Sequence, residues 1–341
     1  MRFLAAALLL HTASGAVTTL LPGTAEPHTS DSVRLLQWIN ETENGFVHPT
    51  HSVRRLGPGF RGIFARTPIE KDTVLAVIPW QLCVTHPMDQ DGHCGLSRKA
   101  VDALVKGETP YAKMLQEYDP SLPNDWPPNA RQALDGLPPG DWDRHLKWFE
   151  AGCLKRKATE DERRGMYLMV ARSGSSRAYE QGGYLFLAPL YDLYNHRNGK
   201  YHNTLVKVDE GESISIIAGR DINAGEEIFN TYGEGTLELF RDYGFVEPLP
   251  RVWNLASLRF IEDEEGRVTW PAAGPPRGPA RDEFLNRLAT LKRALSAPLP
   301  KASDETEAAL LERASTFIGA VGGAVDAATA DLANNRLSGE L

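Results

Sequence analysis

Two short stretches constrain this chain more than any other feature. Leu187 to His196 is a Pro-Leu-rich apolar run that ends Asp192-Leu193-Tyr194-Asn195-His196. Further on, Ala224 to Val246 carries Gly225-Glu226-Glu227-Ile228, then Thr231-Tyr232-Gly233, then Asp242-Tyr243-Gly244-Phe245. Each fragment alone has an ordinary explanation. An Asp-x-x-Asn-His run suits a loop whose polar side chains cap a helix. A tyrosine beside a glycine is most often a core residue with a satisfied hydroxyl. Their order on one chain is what narrows the fold, because the remaining residues read as the framework that brings the two stretches together.

A chain of 341 residues fits one large domain or two modest ones. Apolar content of 42% and charged content of 24% are those of an ordinary folded protein. The net charge of -8 argues against broad, non-specific nucleic-acid binding. Arg54-Arg55 and Lys155-Arg156-Lys157 are the candidate local basic patches. The three cysteines, Cys83, Cys94 and Cys153, have no zinc-ligand spacing, so a four-ligand zinc site is not expected. Free buried thiols are expected, with a Cys83–Cys94 bridge as the alternative in an oxidising compartment. Asp192, His196 and His202 could contribute to a metal site, but they match no zinc or iron spacing.

Met1-Arg2, the apolar run Phe3 to Leu10 and the small residues Ala13-Ser14-Gly15-Ala16 read as a secretory signal peptide within residues 1–25. The apolar run is too short for a stable bilayer anchor. The adjoining residues through Ser30 read as a pro-region or the start of a transit peptide. The secretory pathway and a plastid are both open, with the cytoplasm as the location if the presequence is unused. Asn40-Glu41-Thr42 is a glycosylation sequon, usable only in the secretory pathway. No later stretch reads as a membrane helix.

Asp31 and Ser32 can cap a short helix with Val33, Leu36 and Ile39 at helical spacing. Gly57 to Ala65 is a glycine-rich turn entering a strand, and Thr73 to Ile78 is a second strand ending at Pro79. From about residue 96 to 180 the pattern is helical, broken by Pro120, Pro123, Pro127-Pro128 and Pro138-Pro139. Thr159-Glu160-Asp161-Glu162 reads as a capping box. Leu205 to Val208 and Ser213 to Ile217 are expected strands, and Ile222 to Ile228 is a turn into another. Beyond Pro250, a Pro/Gly-rich stretch at Ala272 to Ala280 precedes two amphipathic helices. One is marked by Phe284, Leu288, Leu291 and Leu295, the other spans Asp304 to Val321.

Glycine-rich entry, helical insertion, Asn-His, Gly-Glu-Glu-Ile and two Tyr-Gly steps, in that order, resemble the SET-domain protein methyltransferases. Within them the resemblance is to the group of the Rubisco lysine methyltransferases and the actin-histidine methyltransferase. It implies an α+β protein: a β-rich SET domain over residues 31–250 with a pseudoknot crossing and a helical insertion at about 96–180, then a reduced helical C-terminal lobe over 251–341. It also implies a monomer that uses S-adenosyl-L-methionine to methylate a lysine of a protein partner, with no metal and no nucleic acid.

Carried over residue by residue, the resemblance puts Arg61 and Gly62 in the glycine-rich turn against the methionine end of the cofactor. Arg177 would contact the cofactor carboxylate, and the Asn195 amide its amino-acid moiety. Backbone at His196 would meet the adenine, Asp192 would brace the loop, and Phe245 would supply an apolar wall. Tyr243 would stand beside the transferring methyl and Tyr232 would line the side-chain channel. Tyr243 favours lysine over histidine as the acceptor. Two departures stand out. Phe60 occupies the first glycine position of the usual Gly-x-Gly, and Glu234-Gly235-Thr236-Leu237 lacks the usual asparagine, with Thr236 available as a helix cap. The alternatives are therefore a catalytically inactive SET-like binding module and a protein-histidine methyltransferase.

Overall fold

The computed structural model describes residues 30–57, 60–88, 90, 92–116, 122–163 and 183–338. The expected presequence and Arg177 lie outside the described residues. Helix α1 (Ser30–Glu41) opens the described chain and buries Leu35 and Ile39, one turn apart on one face.

Strands β1 (Phe46–Val47), β2 (His51–Gly57), β3 (Phe60–Ala65) and β4 (Val74–Pro79) come next. After them are β5 (Val84–Pro87) and β6 (Tyr184–Leu187), then β7 (Thr204–Asp209) and β8 (Ser213–Ala218). The largest sheet is four-stranded and antiparallel, in the order β1-β4-β8-β7. Its central strand β4 is apolar almost throughout, and Leu75, Ala76 and Ile78 are fully buried. Neighbouring β8 alternates instead, with Ile214, Ile216 and Ala218 inward. The remaining pairs are the hairpin β2-β3 and the pair β5-β6.

The insertion lies between β5 and β6, whose antiparallel register from Val84↔Leu187 to Pro87↔Tyr184 closes it at the base. It contains α2 (Gly92–Lys106), α3 (Pro110–Gln116), α4 (Pro128–Gln132) and α5 (Arg144–Trp148), the last running into a π-helical turn at Phe149–Leu154. Pro110 and Pro128 stand at first helical positions, where a missing N–H costs nothing. The capping box forms: the Thr159 N–H donates to Glu162 Oε2 at 2.9 Å, and the Glu162 N–H to Thr159 Oγ1 at 3.3 Å. The cysteine expectation is corrected. Cys94 and Cys153 form a disulfide with Cα atoms 5.3 Å apart, because the π-helical turn packs back on α2. Cys83 keeps its thiol, whose pKa burial pushes up to about 12.

Helix α6 (Thr236–Tyr243) leads out of the SET-like region. The segment beyond Pro250, read from the sequence as helical, begins instead with a three-stranded antiparallel sheet. It is built from β9 (Arg251–Leu255), β10 (Leu258–Glu262) and β11 (Val268–Thr269). Trp253, Leu255 and Phe260 point into the core from alternating positions, a signal that short polar-flanked strands show only weakly. Helices α7 (Gly278–Leu295) and α8 (Glu305–Ser338) then pack together. Against expectation, α8 is long and apolar enough to cross a membrane. Its Ala314, Phe317, Val321, Ala324 and Ala328 are buried in the lobe, so its apolar character serves a protein core.

Two cores result. One gathers α1, the β4 sheet and Leu185 to Tyr194. The other gathers Trp126 to Trp142 of the insertion, Leu237 and Phe240 of α6, and the C-terminal sheet and helices. Helix α6 therefore belongs to the second core by one face.

Candidate active site

The Gly225-Glu226-Glu227-Ile228 stretch does not form the expected strand. It makes one bridge with β3, Phe64↔Glu227, flanked by hydrogen bonds from the Ala65 N–H to Glu226 O (2.9 Å) and the Ile228 N–H to Ile63 O (2.7 Å). Two residues later it changes partner. Asn230 N–H donates to Asn195 O at 2.8 Å, Arg197 N–H donates to Asn230 O at 3.0 Å, and His196↔Asn230 is a parallel bridge. The segment stays with each partner for a single bridge, too briefly to run as a ladder with either. That sharing is the crossing, and it sets Asn195-His196 beside β3 and Tyr232.

Asn195 is fixed there by its side chain. Its Nδ2 donates to Arg61 O at 2.9 Å and to Glu227 Oε1 at 2.7 Å. Two acceptors facing one amide end settle its orientation, so Oδ1 is the end left over. Gly62 lets both side chains approach: a Cβ there would stand 2.1 Å from Glu227 Oε1 and 2.9 Å from Asn195 Nδ2, so one of them would have to shift. Burial pushes the Glu227 carboxyl up to about 7, against the opposing effects of the Asn195 hydrogen bond, Arg197 and Arg54.

On the other side of the crossing stand four rings. Tyr232 stacks on Tyr243, centroids 4.5 Å apart, and lies 5.0 Å from the His196 ring. Phe245 closes the group edge-on, 6.2 Å from Tyr243 and 6.3 Å from His196. The Tyr232 hydroxyl donates to Tyr194 O at 3.3 Å, one residue from Asn195. Helix α6 delivers Tyr243: Leu237 and Phe240 face the second core, while Leu239 and Tyr243 face the rings. Gly244, at φ 74°, ends the helix in the left-handed conformation and turns Phe245 back toward His196.

His196 Nδ1 accepts from the Tyr232 N–H at 2.9 Å, which leaves Nε2 carrying the proton. Nε2 lies 3.3 Å from Glu247 Oε2, within ion-pair reach but off the line of a good hydrogen bond. Glu247 is buried and also accepts from Asn198 Nδ2 at 2.6 Å.

The arrangement matches a known family. The SET domain family model matches residues 60–233, just over half of the chain. The chain belongs to the SET-domain family. N-lysine methyltransferase setd6 of Xenopus laevis is 36% identical over 84 residues, 24% of this chain and 18% of that protein. Its Danio rerio counterpart is 37% identical over 65 residues, 19% of this chain and 14% of that protein. These matches span less than a fifth of either relative. Rubisco LSMT bound to AdoMet shares the fold, with a TM-score of 0.56 at 14% identity over 89% of this chain and 90% of that one.

Gly62, Asn195, His196 and Tyr232 of the matched region converge at the crossing with Tyr243 and Phe245, which follow it. Arg61 takes part through its backbone carbonyl, while its guanidinium reaches Ser32 Oγ at 3.3 Å and Met114 O at 3.5 Å. Asp192 accepts from the Tyr111 hydroxyl of α3, which ties the loop to the insertion. Thr236 does not cap α6; Gly235 is the cap residue and Thr236 is fully buried as the first helical residue.

Sequence reading missed Glu227, inside the Gly-Glu-Glu motif, and Glu247, just past Val246, which show their role only through partners far along the chain. It also missed His51, whose Nε2 accepts from the buried Tyr194 hydroxyl at 2.6 Å while Nδ1 donates to His48 O at 2.8 Å. That bond anchors the residue before Asn195 to β2.

Proposed function

We propose that this SET-domain protein transfers a methyl group from S-adenosyl-L-methionine to a lysine of a protein substrate. The observation that carries the reading is the adjacency of two unlike surfaces at the crossing. One is polar and rich in acceptors (Arg61 O, Asn195 Oδ1, Glu227), with the Glu227 carboxylate and the Asn195 amide packed directly on Gly62. The other is the aromatic group of His196, Tyr232, Tyr243 and Phe245. The polar side fits the amino-acid end of the cofactor, and the absence of a Cβ at Gly62 lets Glu227 and Asn195 close up against β3 to form it. When bound, the cofactor supplies an electrophilic methyl group on a sulfonium.

The protein's own work is positioning. Apolar ring faces disfavour the charged form of an entering lysine and so favour the neutral amine that attacks. Tyr243 and Tyr232 supply phenols at the junction of the two surfaces, able to orient the amine's lone pair. Exclusion of water falls to Phe245 and Leu239. Glu234, whose pKa is raised by burial, Glu238 and Asp242, adds acidic surface beside Tyr232 that suits a basic substrate segment. The family match to lysine methyltransferases supports the acceptor, and Tyr243 supports lysine over histidine. The Cys94–Cys153 bridge supports an oxidising compartment, in keeping with a presequence that leads to the secretory pathway or a plastid.

Calorimetric titration with S-adenosylmethionine, followed by mass spectrometry of methylated substrate peptides, tests the reading. Micromolar binding and a methylated lysine are expected. Binding without turnover on any protein substrate would leave the binding-module alternative, and a methylated histidine would reassign the acceptor.

A further inference from the structure

Among the described residues, the crossing holds a carboxylate with no cation paired to it. Glu227 is partly buried, and its carboxylate accepts from Asn195 Nδ2 at 2.7 Å. The charged groups that face it are Arg54 on β2 and Arg197 just after the Asn-His pair, both at longer range. Each is engaged elsewhere. The Arg54 guanidinium lies over the Phe64 ring at 4.5 Å, and that of Arg197 lies over Tyr201 at 4.2 Å while donating to Leu249 O at 2.9 Å. A carboxylate desolvated without a partner destabilises the free protein, and a bound cation would remove that penalty.

The neighbours of Glu227 specify what kind of cation. Both Asn195 amide hydrogens are taken, by Arg61 O at 2.9 Å and by Glu227 itself, so Asn195 presents Oδ1. Arg61 presents a carbonyl. Three acceptors thus lie within one hydrogen-bonded cluster, drawn close to β3 because Gly62 has no Cβ to hold Glu227 and Asn195 away. A primary ammonium, compact and carrying three donors, complements such a set; a planar guanidinium does not.

We propose that Glu227 is the ionic ligand for the ammonium group at the amino-acid end of the cofactor. The inference rests on the cofactor reading above and goes beyond it by assigning a specific charge. Its consequence is coupling to pH. Burial holds Glu227 near pH 7 in the free protein, so a fraction of molecules must lose a proton before the ammonium is matched. Affinity for an ammonium-bearing ligand therefore rises with pH through the range just below neutrality. Affinity for a ligand lacking that group does not.

The test is calorimetry on the full chain with S-adenosylhomocysteine and with 5′-methylthioadenosine, which has the adenosine but not the amino-acid end. Wild type and Glu227→Gln are each titrated at about pH 6 and about pH 7.5. The substitution keeps an acceptor for Asn195 and removes the charge. Expected for wild type is a roughly fivefold to tenfold tighter binding of S-adenosylhomocysteine at the higher pH, with methylthioadenosine unchanged. Glu227→Gln should weaken S-adenosylhomocysteine about tenfold at the higher pH, abolish the pH dependence and leave methylthioadenosine untouched. Equal binding of S-adenosylhomocysteine by both proteins, or an equal loss of both ligands in the variant, overturns the assignment while leaving the cofactor reading intact. Failure of wild type to bind either ligand overturns the cofactor reading and this inference together.

Discussion

Phe240 lies face to face on Phe317, with ring centroids 4.1 Å apart and planes 8° apart. Phe240 sits on the helix that carries Tyr243, just past the matched SET region, whereas Phe317 belongs to the long C-terminal helix. The site helix is therefore seated on the C-terminal lobe. Phe317→Ala is expected to cost about 3–5 kcal/mol, because the void would open between Phe240 and Trp142. Thermal melting should show a fall of roughly 10 °C, with cofactor affinity reduced at temperatures where the fold persists. An unchanged melting temperature would mean that the lobe does not support α6.

Tyr243→Phe removes one hydroxyl from a stacked pair and leaves the ring contacts in place. Stability and S-adenosylhomocysteine affinity should stay within about twofold of wild type, while turnover falls about 10²-fold, the usual effect of losing one preorganised polar group. Parallel binding and single-turnover assays separate the two quantities. A variant that loses binding along with turnover would argue for a packing role instead.

Gly62→Ala should be severe for a side chain so small. The new Cβ would stand 2.1 Å from Glu227 Oε1 and 2.9 Å from Asn195 Nδ2, so one of the two must leave its place. Cofactor affinity is expected to drop at least about tenfold, since displacing that hydrogen-bonded pair costs on the order of 1–3 kcal/mol. Double substitution with Glu227→Gly should restore room at Gly62→Ala without restoring affinity.

Reduction of the Cys94–Cys153 bond opens a loop with a sequence separation of 59 residues. Loss of that cross-link should destabilise the protein by about 2–4 kcal/mol. Melting curves with and without dithiothreitol measure it, and Cys153→Ser should abolish the difference between them.

Two buried groups at the crossing give opposite slopes of stability against pH. Burial lowers the pKa of His51 to about 4, below its unfolded value of 6.5, so the unfolded chain binds more protons between those limits. Stability from His51 is present above pH 6.5 and is lost as pH falls toward 4, by roughly 3 kcal/mol at most. Glu227 is raised from 4.5 to about 7, so its share is present below 4.5 and is lost as pH rises through 7. Chemical denaturation from about pH 4 to about pH 8 should therefore be flat for wild type in the overlap. It should become steep in Glu227→Gln, where His51 acts alone.

Much of this protein is legible along the chain. The apolar β4, the alternating β8, the Thr159–Glu162 capping box and the Asn-His and Tyr-Gly motifs are local patterns, fixed by backbone period and turn chemistry. Those suffice for the fold class and for most of the residues that meet at the crossing. Only the tertiary structure could decide the rest. The Gly225 to Ile228 segment keeps a single bridge to β3 because the chain leaves β3 for Asn195-His196 at Asn230, a choice made by partners and not by propensity. Cys94 pairs with Cys153 because the insertion folds back on itself. Glu227 acquires its role from Gly62, Asn195 and the burial they impose, none of which its own sequence position reveals. Desolvation and long-range pairing depend on which surfaces meet, and that is a property of the folded chain.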